Sequence, residues 1–402
     1  MSTTETSAAP AWQQAFRAHF PIVKERVYAC QAYCSPIAPR VSNAVQQFFA
    51  NLSMARADKP EWLAAAEGVR AQVAKLINGQ ARHVAFTKNT TEGLNIVAQG
   101  FPWQPGDNMV LDDQEHPVNA VPWLNLRHRQ VQVRVAPTQD RRVTVDSLWS
   151  QVDDRTRIVA VSYVQYSTGV RADIETLARK CKEKGIFLVV DGIQAVGLLP
   201  TDVQWGIGAL SCGAYKALHG PLGLGFLYVN PELLALLQPA HLGPSYANSI
   251  DRKQPGWAMR HKPGDARILE GGNINYPAIA GFAQALLMID EAQVERMAPW
   301  TLALGARLDA GMRAEGVEVL SSPVEGEQSS IVCIRHPQAF ALRKHMYAHG
   351  VVCNLLDTGS IRFSFGAYNN AQEVDHILAL TAQFMRDPSL RSQMALPTGI
   401  RR

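Results

Sequence analysis

The sequence predicts an α/β protein built on a mostly parallel sheet, followed by a smaller α+β unit, and three observations carry that prediction. Short apolar runs recur from about Glu67 onward: "HVAFT", "NMVLDD", "QVRVA", "RIVAVSYV", "IFLVVDG", "IGALSCG" and "LGFLYV". Helix-length segments such as "DIETLARKCKEKG" separate them, the alternation expected of a sheet covered by helices on both faces. Beyond a polar, Gly- and Pro-containing stretch, "SIDRKQPGWAMRHKPGDARILEGGN", the pattern resumes as strand, helix, strand, helix. A chain of 402 residues has the length for about two or three cores or one large α/β body.

Taken in order, residues 1–20 read as an arm with weak structure of its own. Residues 21–285 form the expected large domain, whose first segment also contributes to the small one; residues 286–390 form the small C-terminal domain, and 391–402 a tail. Within the large domain, "TKNTTEGLNIVAQG" opens a helix directly after the first apolar run. "ARKCKEKG" closes another with lysines and a glycine, the chemistry of a helix C-terminus, before the fully apolar strand "IFLVVD". A single long apolar helix is predicted from Pro277 to about Ala298. In the small domain "SSIVCIRH" and "IRFSF" read as strands, and "FALRKHMYAHG" and "NNAQEVDHILALTAQFM" as helices.

Composition narrows the function classes. Hydrophobic residues make up 47% and charged residues 18%, the balance of a folded globular enzyme. The net charge of +4, from 39 basic and 35 acidic residues, forms no basic stripe, so neither nucleic acid nor membrane is an expected partner. No run reaches the ~18 apolar residues of a membrane span, and the opening residues lack a secretory pattern, which points to a cytoplasmic location. The six cysteines lack paired metal-ligand spacing and are expected to be reduced, mostly buried thiols, with no metal site.

In open parallel sheets ligands sit at the carboxyl ends of strands, and here those ends are polar. Thr90 and Thr91 stand at a helix start, where hydroxyls and free N–H groups bind an anion; a plain threonine cap is the other reading. Asp191 ends an apolar strand, where a carboxylate needs a cation or proton donor, or else caps the next helix. Lys216 lies 25 residues on, among small residues, as a surface lysine or as a carbonyl-reactive amine. His116 has no metal-ligand partner nearby and suits stacking on a flat ring. Anion cradle, buried acid, stacking ring and reactive amine together describe what pyridoxal 5'-phosphate requires. "GPLGLG" reverses the dinucleotide fingerprint and precedes a strand instead of opening a helix, so a nicotinamide site is disfavoured; no Walker pattern is present.

The segments "FTKNTTEGLN", "GDNMVLDDQEHPVNAVPW", "VVDGIQAVG", "YKALHGPLGLGFLYV" and "IRFSFGAYNN" resemble the class V aminotransferase family of fold-type I pyridoxal 5'-phosphate enzymes, from about Val27 to Met385. The resemblance implies that Lys216 binds the cofactor aldehyde as an imine, Asp191 partners the ring nitrogen and Gln194 donates to the ring oxygen, with Gln165 near that oxygen. It also implies that His116 stacks on the ring, that Thr90, Thr91 and Tyr215 contact the phosphate, and that Asn273 of "GGNIN" reaches the phosphate of a second subunit, hence a homodimer. Arg362 matches the arginine that holds a substrate α-carboxylate, a task suited to its fork of donors. Gln31, Tyr33 and Tyr166 are candidates for the substrate pocket by chain position.

Departures from the family bear on the reaction. "VVCNLLDTGSIRF" is too short for the cysteine-bearing loop of cysteine desulfurases, and Cys353 precedes it on a strand. Cys212 and Gly213 stand where relatives often carry serine. The expected activity is a lyase reaction at the β-carbon of an α-amino acid, such as C–S cleavage of a cysteine derivative. An epimerase of the isopenicillin N epimerase type, an aminotransferase, and a non-catalytic interaction protein are the alternatives.

Overall fold

The computed structural model describes residues 9–56, 58–243, 247–251, 258–261 and 264–393. The described residues open with helix α1 (Ala11–Ala18), then α2 (Pro39–Ser53) and α3 (Lys59–Leu76). Next come strand β1 (Val84–Thr87), helix α4 (Thr90–Gly100), β2 (Asn108–Asp112), α5 (Pro117–Leu124), β3 (Gln132–Ala136) and β4 (Thr156–Ser162). Helix α6 (Ile174–Glu183), β5 (Phe187–Asp191), β6 (Ala209–Gly213) and β7 (Gly225–Val229) complete the seven apolar runs read from the sequence.

These strands form one seven-stranded sheet in the order β1-β7-β6-β5-β4-β2-β3. Only β7 runs against the others, pairing antiparallel with both β1 and β6. The strands are apolar on both faces because both are covered. In β4, Ile158 and Ala160 enter one core while Val159 and Val161 enter the other, the two-residue alternation of a pleated strand. Helix α6 shows how sequence sets the element: the Asp173 carboxylate caps its start by accepting the Thr176 N–H at 3.0 Å, Lys180 and Lys182 occupy its last turn, and Gly185 leaves it at φ +68°.

The N-terminal stretch departs from the expectation of an arm with weak structure. In α1, Phe16 is buried, and the buried Gln13 amide donates to the carbonyls of Ala367 and Asn369, both at 3.0 Å. Arg17 pairs with Glu373 at 2.8 Å. Polar side chains that look solvated in the sequence are satisfied by partners more than 350 residues away.

The polar stretch expected as a break in the strand rhythm contains an antiparallel ribbon of residues 247–251 and 258–261, and part of the stretch lies outside the described residues. The helix predicted over 277–298 is two helices, α7 (Tyr276–Ala292) and α8 (Val294–Ala314), joined at Gln293 with φ +66°. The boundary expected after residue 285 therefore falls inside α7, and the chain turns at 293. Beyond it, β8 (Glu318–Val319), β9 (Ile331–Arg335), β10 (Asn354–Leu355) and β11 (Ser360–Ser364) form an antiparallel sheet in the order β8-β9-β11-β10. Helices α9 (Ala339–Ala348) and α10 (Ala371–Arg386) share its core. Residues 388–393 add a short helix, and the remainder of the predicted tail lies outside the described residues.

Candidate active site

The carboxyl ends of β1, β2, β4, β5 and β6 open onto a cavity of about 590 Å³ whose other wall is the β10–β11 hairpin. Thr90, Thr91, His116, Asp191, Gln194, Tyr215, Lys216 and Arg362 all line it, although they are spread across the chain. Tyr33 and Tyr166 line it as well.

Helix α4 starts at this cavity. Its cap is Asn89, which accepts the Glu92 N–H at 3.0 Å, so neither threonine serves as the cap. The Thr90 hydroxyl instead accepts the Gly213 N–H at 3.0 Å, tying the helix start to the end of β6. A β-carbon on Gly93 would lie 2.3 Å from the Ser211 hydroxyl, so glycine lets the helix sit directly on the sheet. The first-turn N–H groups of a helix have no intrahelical partner, and here they face a cavity.

Asp191 ends β5, in register with Ser162 on β4 and Ser211 on β6. Burial pushes its carboxyl up to about 7, against the Ile193 N–H it accepts at 3.0 Å and the nearby Lys216. Burial pushes the Lys216 ammonium down to about 8; Arg362 adds to the drop, while Asp191 and Cys212 oppose it. Among the described residues the Lys216 amine has neither a hydrogen bond nor an ion pair, and it stands 5.9 Å from the centre of the Tyr215 ring. The lysine backbone is fixed: its carbonyl accepts the Gln31 amide at 2.8 Å and the His219 N–H at 3.1 Å.

His116 caps α5, accepting the Val118 N–H on Nδ1 at 3.1 Å, which leaves the ring proton on Nε2. Burial, then Lys216 and Arg362, push the imidazole down to about 4, so the ring is neutral near pH 7. It meets the Tyr166 ring edge-on at 4.5 Å. Arg362, 4% exposed, donates from Nη1 to the Tyr166 carbonyl at 2.9 Å, while its Nε is buried with no partner among the described residues. An unsatisfied buried guanidinium nitrogen beside a cavity is a ready site for a carboxylate.

Three predicted residues, Gln165, Asn273 and Gln31, lie outside the cavity lining. Gln165, beyond the end of β4, does not line the cavity although Ser162, Val164 and Tyr166 do; it is fully buried, with its Nε2 donating to Asp112 at 3.2 Å and Glu115 at 3.1 Å. Asn273 is exposed outside the cavity and accepts from Lys59 at 3.1 Å. Gln194 donates one N–H to the Ala32 carbonyl at 3.0 Å and keeps a second. Gln31 does not line the cavity but anchors the lysine backbone.

Sequence reasoning missed Glu115, which accepts from the Ser162 N–H at 2.5 Å and the Ser162 hydroxyl at 2.6 Å. Burial, then Asp112, push its carboxyl well up. The polar run "DDQEHPVN" was the available signal. The cysteines are free, and all but the half-buried Cys34 are buried, as read. Among the described residues no metal-holding cluster and no helix long and apolar enough to cross a membrane is present.

The donor set fits pyridoxal 5'-phosphate on three structural grounds: a helix start facing the cavity, a buried acid with raised proton affinity, and an amine held without a partner beside an orphaned guanidinium nitrogen. The sequence matches the family Aminotransferase class-V over residues 27–377. It is 27% identical to a probable cysteine desulfurase of Methanothermobacter thermautotrophicus, over 89% of this chain and 94% of the relative. Its fold is similar to the apo structure of a cysteine desulfurase from Thermococcus onnurineus (TM-score 0.86, 22% identity, 94% of this chain and 100% of that one). It is also similar to the cystine C–S lyase C-DES in complex with its product cysteine persulfide (TM-score 0.82, 20% identity, 90% and 99%). With most of the chain matched in sequence and fold, the protein belongs to the class V aminotransferase family of pyridoxal 5'-phosphate-dependent enzymes on fold type I.

Proposed function

We propose that the protein is a lyase acting at the β-carbon of an α-amino acid, with C–S cleavage of a cysteine derivative as the model reaction and no enzyme thiol carrying the sulfur. The observation that carries this reading is the hairpin beside Arg362: β10 and β11 are joined by residues 356–359, and that turn holds no cysteine. Cys353, next to it, is 4% exposed with its thiol pushed up to about 12 by burial. The cavity-lining Cys34 donates to the Ser35 carbonyl at 3.5 Å, and burial raises its thiol too. The similar proteins named as cysteine desulfurase and cystine C–S lyase support sulfur-containing amino acids as the substrate class.

In this reading the start of α4 with Thr90 and Thr91 holds the phosphate, with Tyr215; Asp191 pairs with the ring nitrogen, Gln194 meets the ring oxygen and His116 lies against the ring. The bound cofactor supplies an electron sink for the bond that breaks at Cα. Arg362 takes the substrate α-carboxylate, and the Lys216 amine removes the Cα proton. The Cβ–S bond then breaks with its electrons leaving on sulfur, and water completes the reaction to pyruvate, ammonia and a free thiol, with no oxidant or reductant consumed. A homodimer belongs to the same reading, supported by Asn273 lying outside its own cavity and free to serve a second copy's phosphate site. A cytoplasmic location is supported by the free cysteines.

The test is incubation of the cofactor-loaded protein with S-alkyl cysteines, following pyruvate and free thiol. Lys216→Ala should abolish both products and the covalently held cofactor's absorbance. Unchanged substrate with rapid Cα deuterium exchange would replace this reading with an epimerase, and stoichiometric pyridoxamine phosphate with an aminotransferase.

A further inference from the structure

We propose that Asp112 and Glu115 form a buried carboxyl pair that shares one proton, and that the charge left on the pair makes both of them positioning residues for Asp191. Only the last step, to the cofactor ring, rests on the reading of Asp191 as the ring-nitrogen partner. Gln165 Nε2 stands 3.2 Å from Asp112 Oδ2 and 3.1 Å from Glu115 Oε1, so one amide nitrogen touches both carboxyls. Ser162 gives Glu115 its N–H and its hydroxyl, and Asp112 accepts the Gln114 N–H at 2.8 Å. Asn119 faces Glu115 from α5, and Asp113 sets a further negative charge near Asp112. Every one of these neighbours is neutral or acidic. Two carboxylates held that close with no cation against them cannot both stay ionised, and burial pushes both upward. The hydrogen bond between the Glu115 and Asp112 carboxyls needs one proton and leaves one negative charge on the pair. Gln165 turns its donors to that charge and leaves Oε1 buried without a partner among the described residues, a cost that a charged acceptor offsets.

Ser162 links the pair to the cavity. It is in register with Asp191 on the neighbouring parallel strand, so the two side chains share a face, and its hydroxyl bonds Glu115 at 2.6 Å. The charge on the pair therefore lies one residue behind Asp191. Glu115 raises the Asp191 carboxyl, while Lys216 lowers it; Cys212 and Tyr215, the other titratable side chains beside Asp191, are held neutral by burial. A unit charge two side chains away, at an effective dielectric constant of about 20, is worth about one pH unit. The same field favours a proton on any ring nitrogen bonded to Asp191.

The experiment follows carboxyl bands by infrared difference spectroscopy on the full chain before cofactor is added, for the parent, Asp112→Asn, Glu115→Gln and the double variant. In each single variant an amide N–H replaces the shared proton and the remaining acid keeps the charge; only the double variant loses it. At about pH 9, where Asp191 has given up its proton, the parent should show a protonated-carboxyl band that either single variant lacks. Asp191→Asn identifies the Asp191 band, whose titration should centre at about 7 in the parent and in both single variants. In the double variant it should fall by about one pH unit, a tenfold loss of proton affinity. A parent without the protonated band, or single variants that each keep it, overturns the proposal, and these two variants decide it should the double variant fail to fold. A double variant that titrates with the parent also overturns it, as does a shift already complete in one single variant, the mark of a merely structural role. With the cofactor bound, NMR of its isotopically labelled ring nitrogen should show the ring proton lost about one pH unit earlier in the double variant. A ring nitrogen that stays unmoved while the Asp191 band shifts supports this inference and removes Asp191 from its place against the ring.

Discussion

At the level of single residues, burial moves the amine of Lys216 on the cavity wall into the range of ordinary pH. An amine whose pKa drops from 10.5 to about 8 is mostly protonated at pH 7 and mostly free at pH 9. Capture of pyridoxal 5'-phosphate by the apo-protein needs the free amine, so its rate should rise roughly tenfold per pH unit below 8 and level off above it; stopped-flow absorbance reads this directly. A rate independent of pH between 6 and 9 would place the captured aldehyde on another group. Arg362 makes a second residue-level prediction. Lysine keeps the charge but loses the fork, and a hydrogen bond to a charged group is worth about 1.5–3 kcal/mol, so Arg362→Lys should weaken amino-acid binding about 10- to 150-fold. Lys216 and Asp191 were legible because each follows an apolar strand directly. Gln165 was not expected off the cavity because its partners Asp112 and Glu115 lie about 50 residues away in the chain, and Glu115 was hidden because its partner Ser162 lies 47 residues away.

Among the elements, helix α4 and strand β6 depend on each other. The helix reaches the cavity only because Gly93 allows it against Ser211, where a methyl group would come within 2.3 Å of the hydroxyl. Gly93→Ala should therefore lift the helix start, costing about 1–3 kcal/mol in urea unfolding and weakening cofactor phosphate binding in the same variant. Unchanged unfolding and unchanged cofactor affinity would show that Ser211 can turn aside. The seven strands of the main sheet were legible because each is a compact apolar run bounded by polar residues. The joint at Gln293 was not: the apolar period of α7 runs on into α8, and neither glycine nor proline marks the left-handed residue between them. Helix α1 was also illegible, since its buried Gln13 looks like a surface residue until its partners at 367 and 369 are known.

Across the whole molecule, residues 29–36 strap the small sheet to the lysine loop. Ser364 N–H donates to the Ala29 carbonyl at 3.0 Å, and Ala32 N–H to the Ser364 hydroxyl at 2.8 Å. At the other end, Ser35 N–H donates to the Tyr215 carbonyl at 2.9 Å, and its hydroxyl bonds His219 Nδ1 at 2.6 Å. Between them the Gln31 amide accepts from the Tyr368 hydroxyl at 2.6 Å while donating to the Lys216 carbonyl. Gln31→Met fills similar space but strands the Tyr368 hydroxyl and leaves the Lys216 carbonyl only the His219 N–H, and should cost about 1–3 kcal/mol in thermal or urea unfolding and slow cofactor capture. A variant as stable as the parent, with unchanged capture, would mean that the strap is held by its backbone bonds alone. Because Gln13 and its carbonyl partner at Ala367 are separated by 354 residues, the opening helix leaves the ribosome long before the groups that receive it have been translated. The lysine loop thus waits on residues 364–368 for its final brace, and a nascent polypeptide stalled before residue 364 should be unable to bind the vitamin-derived aldehyde tightly.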